Sequence, residues 1–470
     1  MKFGTSGLRG LVSDMSDAAC AAWTGAFLDH LAATGRAAPR LLVGRDLRPS
    51  SPRIAQAVTA AAAARGIAVE DCGALPTPAL ALEGIARGLP SVMVTGSHIP
   101  FDRNGLKFNL ATGEIAKADE AGIVAAHDAA RSARPAARPG AVTASDAAVA
   151  RYAARAARFF PAGFLRGRRV GVHQHSAVGR DLTARMLADF GAEVVALGRS
   201  DAFIPVDTEA VSEADAAQAR AWTAEHGLDA LVSTDGDGDR PLVADETGAF
   251  LRGDILGALT ARYLNADAVA TPVSSNTALE RSGWFATVRR TRIGSPYVIA
   301  AIEALAAEGA RLPVAFEANG GFLLGGPVLR DGRTLDPLPT RDAMLPMLAA
   351  LAMAAEAGQP LSALPRALPA RFTASDRLQA FPSDRGAALA ARVIADAGTR
   401  AALLAAAGLG GEGSVDATDG ARVTAGAAIV HLRPSGNAPE LRAYAEAGTE
   451  AEAKRIVAAA LAWAAGALDA

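Results

Sequence analysis

Short apolar runs alternate with helical segments in three successive rounds, and this alternation constrains the fold more than any other feature of the chain. RLLVGRD (40–46) reads as a strand. SPRIAQAVTAAAAARG (51–66) reads as a helix, with Ser51 as N-cap, Pro52 in the first turn and Gly66 as stop. AVEDCG (68–73), a helix from Thr77 and the strand SVMVTG (91–96) complete the first round. RRVGVHQHS, RDLTARMLADFG, EVVALG, a helix over Glu209–His226 and DALVSTD make the second. AVATPVSS, TVRRTRIG, SPYVIAAIEALAAEGA and PVAFEANGG make the third. Strands alternating with helices predict α/β units with mixed, largely parallel sheets. The tail differs. After a Pro-rich linker, GQPLSALPRALPARF, come two adjacent strands, GAAIVHLRPSG and LRAYAEAG, and one helix opened by a Thr449–Glu452 capping box.

A length of 470 residues accommodates three such domains of roughly 150 residues, or four smaller ones. The predicted division is an α/β domain over 1–138, a second over 139–248, a third over 249–362 and a smaller α+β domain over 363–470, set around a central cleft. A net charge of -2 provides no basic field for nucleic acid. The longest apolar runs, AMLPMLAALAMAA and VAAALAWAAGAL, fall short of the roughly 18 residues of a membrane span. Two cysteines, Cys20 and Cys72, build no disulfide framework and read as core residues. The N-terminus MKFGTSGLRG lacks an apolar signal segment. The expectation is a soluble cytoplasmic protein without nucleic-acid or membrane partners.

In each round a polar loop follows an apolar strand at once: TGSHIP after SVMV, TDGDGDR after DALVS, EANGG after PVAF. Ligands of open α/β sheets sit beyond the carboxyl ends of strands. The first loop places Ser97 where an exposed hydroxyl is expected, with His98 beside it in poor geometry for a base. DGDGDR sets Asp235, Asp237 and Asp239 at alternate positions. Three carboxylates that close repel one another unless a cation lies between them, and glycines let the backbone turn all three to one point. All-oxygen ligation suits Mg²⁺ or Ca²⁺. An EF-hand reading, with Glu246 at position 12, conflicts with Arg240 and Pro241 where the sharp turn needs glycine. A solvated acidic turn is the simplest alternative. RPSGN, Arg433–Asn437, gathers donors of the kind phosphate takes, and Glu317 and Asn319 in FEANGG are suited to hydroxyls. His173 and His175 share a strand face, but with no clear third ligand a structural role is preferred.

These loops resemble those of the α-D-phosphohexomutases, the phosphomannomutase/phosphoglucomutase superfamily, over nearly the whole chain and in the family's order. FGTSGLRG resembles the N-terminal signature, TGSHIPFDRNGLKF the phosphoserine loop, DGDGDRP the magnesium loop, EANGG the sugar loop and RPSGNAPELR the phosphate loop. The resemblance implies an isomerase that interconverts hexose 6- and 1-phosphates, with mannose phosphates first and glucose or glucosamine phosphates as alternatives. Phospho-Ser97 would pass its phosphoryl group to the substrate, form a hexose 1,6-bisphosphate that turns end for end, and take back the other phosphate. The bisphosphate would also serve as activator.

It further implies Mg²⁺ on Ser97, Asp235, Asp237 and Asp239, and catalytic roles for Ser97, Lys107, Arg9 and His98, with Lys107 acting in acid/base transfer if neighbouring cations depress its pKa. Ser6, Arg240, Glu317, Asn319, Arg433, Ser435, Gly436 and Asn437 would bind substrate, in a monomer or homodimer. Four residues in three of these loops depart from the family's usual spelling: Ile99 where it has Asn, Asn319 and Gly321 where it has Ser and His, and Asn437 where it has Thr. Outside the class, a non-catalytic sugar-phosphate or Ca²⁺ binder and a serine hydrolase are the competing readings.

Overall fold

The structure, a computed structural model, describes residues 1–4, 7–129, 138–435 and 439–467. The chain forms two compact units, one of Met1–Asn265 with Asn319–Leu364, the other of Ala266–Ala318 with Pro365–Ala470.

The first unit opens with a mixed sheet. Arg40–Arg45 lies parallel to both Ala68–Ala74 and Ser91–Val94, because the helices Ser51–Ala64 and Thr77–Arg87 carry the chain back between them. Arg103–Leu110 then runs antiparallel to Ser91–Val94, and Leu8–Leu11 antiparallel to Arg103–Leu110, with Arg9 opposite Gly105. The loop between Val94 and Arg103 is thus pinned between paired strands. Helices Asp17–Ala33 and Ser51–Ala64 close a core in which Phe27 and Phe108 stack at 4.7 Å. Cys20 and Cys72 are buried, as expected of core residues.

A second sheet of this unit orders Glu193–Leu197, Arg169–His173, Ala230–Thr234 and Pro241–Ala244. The first three are parallel, and the last two form an antiparallel hairpin whose end pair is Thr234 and Pro241. Phe322–Leu324 and Leu338–Asp342 add a further antiparallel pair.

Two local expectations shift. The second helix begins with Ser50, not Ser51, at its N-cap, and the Ser51 hydroxyl donates instead to Asp46 Oδ1 at 2.5 Å. The helix expected from Glu209 begins at Glu213, because Asp207 accepts from the Glu209 N–H and Ser212 caps the Asp215 N–H.

In the second unit Ala268–Pro272 is flanked in parallel by Thr287–Thr291 and Pro313–Phe316. Its C-terminal part is larger than the tail reading allowed. Five antiparallel strands, in the order Phe372–Gln379, Glu440–Ala447, Ala428–Pro434, Ala421–Ala425, Ser414–Asp416, carry the helices Ser383–Ala395, Ala397–Ala406 and Glu450–Gly466. The edge strand Phe372–Gln379 escaped notice because it is largely exposed and polar. The Pro-rich linker itself contains a 3₁₀ turn, Leu361–Ala367. The Thr449 hydroxyl accepts from the Glu452 N–H at 3.2 Å, the cap expected there. No single helix among the described residues is long and apolar enough to cross a membrane.

Candidate active site

Two loops meet within the first unit. One follows Ser91–Val94 and carries Ser97; the other joins Ala230–Thr234 to Pro241–Ala244 and carries the aspartates. The hairpin is tight because Asp235 Oδ1 accepts from the Asp239 and Arg240 N–H groups at 3.2 and 3.3 Å. Gly238 takes φ +72°, where a side chain would be strained. Asp235, Asp237 and Asp239 consequently present carboxylate oxygens that all lie within 4.8 Å of one another.

Ser97 is buried, not exposed as its polar setting suggested. Its hydroxyl donates to Asp235 Oδ2 at 2.7 Å. His98 Nδ1 lies 3.3 Å from Ser97 Oγ, closer than a sequence neighbour was expected to come. Lys107 reaches in from Arg103–Leu110 and donates to Asp237 Oδ2 at 2.6 Å and Asp239 Oδ2 at 2.7 Å. Thr77 adds a bond to Asp237 Oδ2 at 2.7 Å. Arg240 Nε stands 3.9 Å from Asp235 and 3.7 Å from Asp239.

The electrostatics follow from burial and mutual charge. Desolvation, reinforced by Asp237 and Asp239, pushes the Asp235 carboxyl well above the usual range. Burial also opposes the charge on Asp237 and Asp239, but Lys107 in the first case and Arg341 in the second outweigh it and hold them low. Burial alone would lower the Lys107 ammonium; the two aspartates win, and its pKa is raised. The condition for acid/base work by Lys107, a pKa depressed by neighbouring cations, is not met here, because its nearest charged neighbours are anions. Burial, then Arg240 and Arg341, draw Arg9 down to about 10. Burial, then Arg240 and Arg9, hold the His98 imidazole well below its ordinary value.

This donor set fits a hard divalent cation. Asp237 Oδ1 and Asp239 Oδ1 are buried with no hydrogen-bond partner, a costly state for carboxylate oxygens that ligation would relieve. The EF-hand reading falls: the aspartates join two strands, and Glu246 accepts from the Ser362 N–H at 3.3 Å.

The other anticipated residues have separate partners. Asn319 Oδ1 accepts from the Gly321 N–H at 3.0 Å, and the Asn319 carbonyl accepts from Thr208 at 2.9 Å. In the second unit Glu317 accepts from the Gly294 N–H at 3.1 Å at the end of its strand. Arg433 Nε donates to Asp419 at 2.8 Å, and the Ser435 N–H donates to the Glu440 carbonyl at 2.8 Å. Ser6, Gly436 and Asn437 lie outside the described residues. His175 Nε2 bonds the Thr234 carbonyl at 2.8 Å, and the His173 and His175 rings are 5.1 Å apart.

Sequence reasoning missed Thr77, Asp46, Arg48, Thr95 and Arg341. Arg341 donates twice to Asp239 Oδ2, at 3.0 and 3.1 Å. Its stem lies against Gly321, where a Cβ would come within 2.6 Å of Arg341 Cδ. The one available signal for it was the absence of a side chain at 321.

Four family models match the chain: phosphoglucomutase/phosphomannomutase domain I over residues 1–134, domain II over 152–248, domain III over 252–372 and the C-terminal domain over 383–462. A phosphomannomutase of Sinorhizobium fredii is 46% identical over 98% of this chain and 98% of its own length. A phosphomannomutase of Salmonella muenchen is 46% identical over 97% of this chain and 94% of its own. A solved phosphoglucomutase/phosphomannomutase family protein from Burkholderia thailandensis superposes with a TM-score of 0.77 at 21% identity, covering 100% of this chain and 98% of that one.

Proposed function

The chain belongs to the phosphoglucomutase/phosphomannomutase family, and on that footing we propose that Ser97 is the phosphate carrier of a phosphohexomutase acting on mannose phosphates. The observation that carries this reading is the hydroxyl of Ser97, 2.7 Å from Asp235 Oδ2 beside two buried carboxylate oxygens that accept no hydrogen bond. A Mg²⁺ ion held by Asp235, Asp237 and Asp239 would supply positive charge for the phosphoryl oxygens.

The chain's own groups do the rest. In the transfer the P–O bond to Ser97 breaks, a P–O bond to a hexose hydroxyl forms, that hydroxyl loses its proton and Ser97 Oγ gains one. His98 Nδ1, at 3.3 Å, is the imidazole within reach of the serine end of this exchange. Lys107, its charge held by two aspartates, contributes charge neutralisation rather than a base. Arg9 and Arg240 add cations next to the same carboxylates. Arg433 and Ser435, with Gly436 and Asn437, are assigned to the non-reacting phosphate, Glu317 and Asn319 to the sugar hydroxyls, and Ser6 to substrate binding. Hexose 1,6-bisphosphate is both intermediate and activator in this scheme. The division at 138, 248 and 362, a monomer or homodimer, and a cytoplasmic location without nucleic-acid or membrane partners complete the reading.

The test compares wild type with Ser97→Ala. The wild type should gain one phosphate from hexose 1,6-bisphosphate by intact mass and lose it to phosphatase. Ser97→Ala should gain none and lose all mutase activity while still binding Mg²⁺; full turnover by that variant would sink the proposal. Side-by-side rates on mannose, glucose and glucosamine phosphates assign the sugar.

A further inference from the structure

The backbone of Ser97 takes φ +55°, a left-handed conformation that a residue with a Cβ seldom adopts. Such a conformation persists only where the surroundings over-determine it. Here both peptide groups of Ser97 are held. Its N–H donates to Thr95 Oγ1 at 2.8 Å, and the Thr95 hydroxyl donates to Asp46 Oδ2 at 2.7 Å. Its carbonyl accepts from Arg48 Nη2 at 2.8 Å.

Arg48 is buried, and all five of its N–H bonds are used. Nη2 also donates to the Ile99 carbonyl at 2.6 Å. Nη1 donates to the carbonyls of Pro100 at 2.7 Å and Arg103 at 3.0 Å. Nε donates to Asp46 Oδ2 at 3.2 Å. Four of the five bonds therefore fall on carbonyls of one loop, and the fifth on the carboxylate that also anchors Thr95. Asp46 Oδ1 is fixed in turn by the Arg48 N–H at 3.0 Å. The Phe203 ring covers the guanidinium at 4.0 Å. Gly96 makes the approach possible, since a Cβ there would lie 2.6 Å from Arg48 Cζ. Burying a guanidinium is costly unless every donor is satisfied, and here that satisfaction is spent on the geometry of a loop rather than on packing.

We propose that Arg48, anchored on Asp46, is a positioning residue for phosphoryl transfer. With Thr95 it clamps the 97–103 loop so that Ser97 stays left-handed and its Oγ faces Asp235. The clamp rests on Ser97 being the phosphate carrier. It also reaches the Ile99 position, where the chain leaves its family's usual residue: Ile99 contributes its backbone carbonyl, which any residue there would supply.

Arg48→Lys, Thr95→Val and Thr95→Ser test it, through steady-state kinetics on mannose 1-phosphate and single-turnover phosphorylation from glucose 1,6-bisphosphate read by intact mass. Arg48→Lys and Thr95→Val should each lower kcat by about 50-fold or more, with KM changed less than about threefold, and slow Ser97 phosphorylation by the same factor. Thr95→Ser, which keeps the hydroxyl, should recover most of the loss. Wild-type kcat in Thr95→Val, equal damage in Thr95→Ser, or KM rising in step with falling kcat overturns the clamp. If Arg48→Lys does not fold, the Thr95 pair decides. A wild type that never takes phosphate on Ser97 defeats the carrier reading and the clamp together. Wild type and clamp variants phosphorylated at one rate defeat the clamp alone.

Discussion

Ser97 donates its hydroxyl proton to Asp235 across 2.7 Å, although 138 residues separate the two in the chain. A phosphate on Ser97 would remove that proton and set a dianion against a carboxylate, a repulsion that a bound cation relieves. Mg²⁺ should therefore bind more tightly to the phosphorylated protein than to the dephosphorylated one. Calorimetric titration of both forms checks the order of affinities, and equal values would count against Ser97 as a ligand-bearing position.

Metal binding should also stabilise the fold. At a hundredfold excess over Kd, Mg²⁺ should add about 2.7 kcal/mol. Asp237→Asn and Asp239→Asn, which each remove a carboxylate charge from the cluster, should largely abolish the Mg²⁺-dependent rise in melting temperature. Thermal melts with Mg²⁺ and with chelator read the difference.

Lys107 donates to two of the three carboxylates that would hold the metal, and so would compete with it. Lys107→Met should therefore tighten Mg²⁺ binding by about tenfold while lowering kcat by about 100-fold, since the charge it contributes to transfer is gone. Weaker Mg²⁺ binding in that variant would show that Lys107 organises the aspartates rather than competing for them.

Two buried histidines set an acid limit on stability. Burial, partly opposed by the Thr234 carbonyl, lowers His175 to about 4. Burial, partly opposed by Asp419, likewise lowers His431 to about 4. The folded protein thus binds fewer protons than the unfolded chain between pH of about 6.5 and 4. Stability is full above that window and falls as pH drops through it, by about 1.4 kcal/mol per pH unit for each histidine. Denaturant midpoints at pH 7, 6 and 5 should show the fall, and His431→Phe should reduce its slope; a flat profile would contradict the burial of both rings.

Burial lifts the Cys20 thiol to about 11 and the Cys72 thiol to about 12, so neither forms thiolate at neutral pH. A thiol reagent should label no cysteine in the native protein within minutes and both after unfolding. Rapid native labelling would mean that the first unit opens readily.

The polar loops were legible because their chemistry is local: DGDGDR crowds three carboxylates into six residues, and alternation of apolar runs with helices reads directly as α/β. That Cys20 and Cys72 are core, and that Thr449 caps the last helix, were equally local readings. The exposed edge strand Phe372–Gln379 was not legible, since an edge needs no apolar run. Nor was the charge state of Lys107, because a pKa depends on which groups burial brings within a few ångströms, and Asp237 and Asp239 are distant in sequence. The sequence by itself determined which chemistry the chain possesses: a hydroxyl, three carboxylates, and cations around them. Tertiary structure alone decided how that chemistry is aimed, through buried groups such as Arg48 and Arg341 whose donors find partners only once distant strands pair. Hydrogen bonds and ion pairs act over a few ångströms in space, and only folding sets those distances.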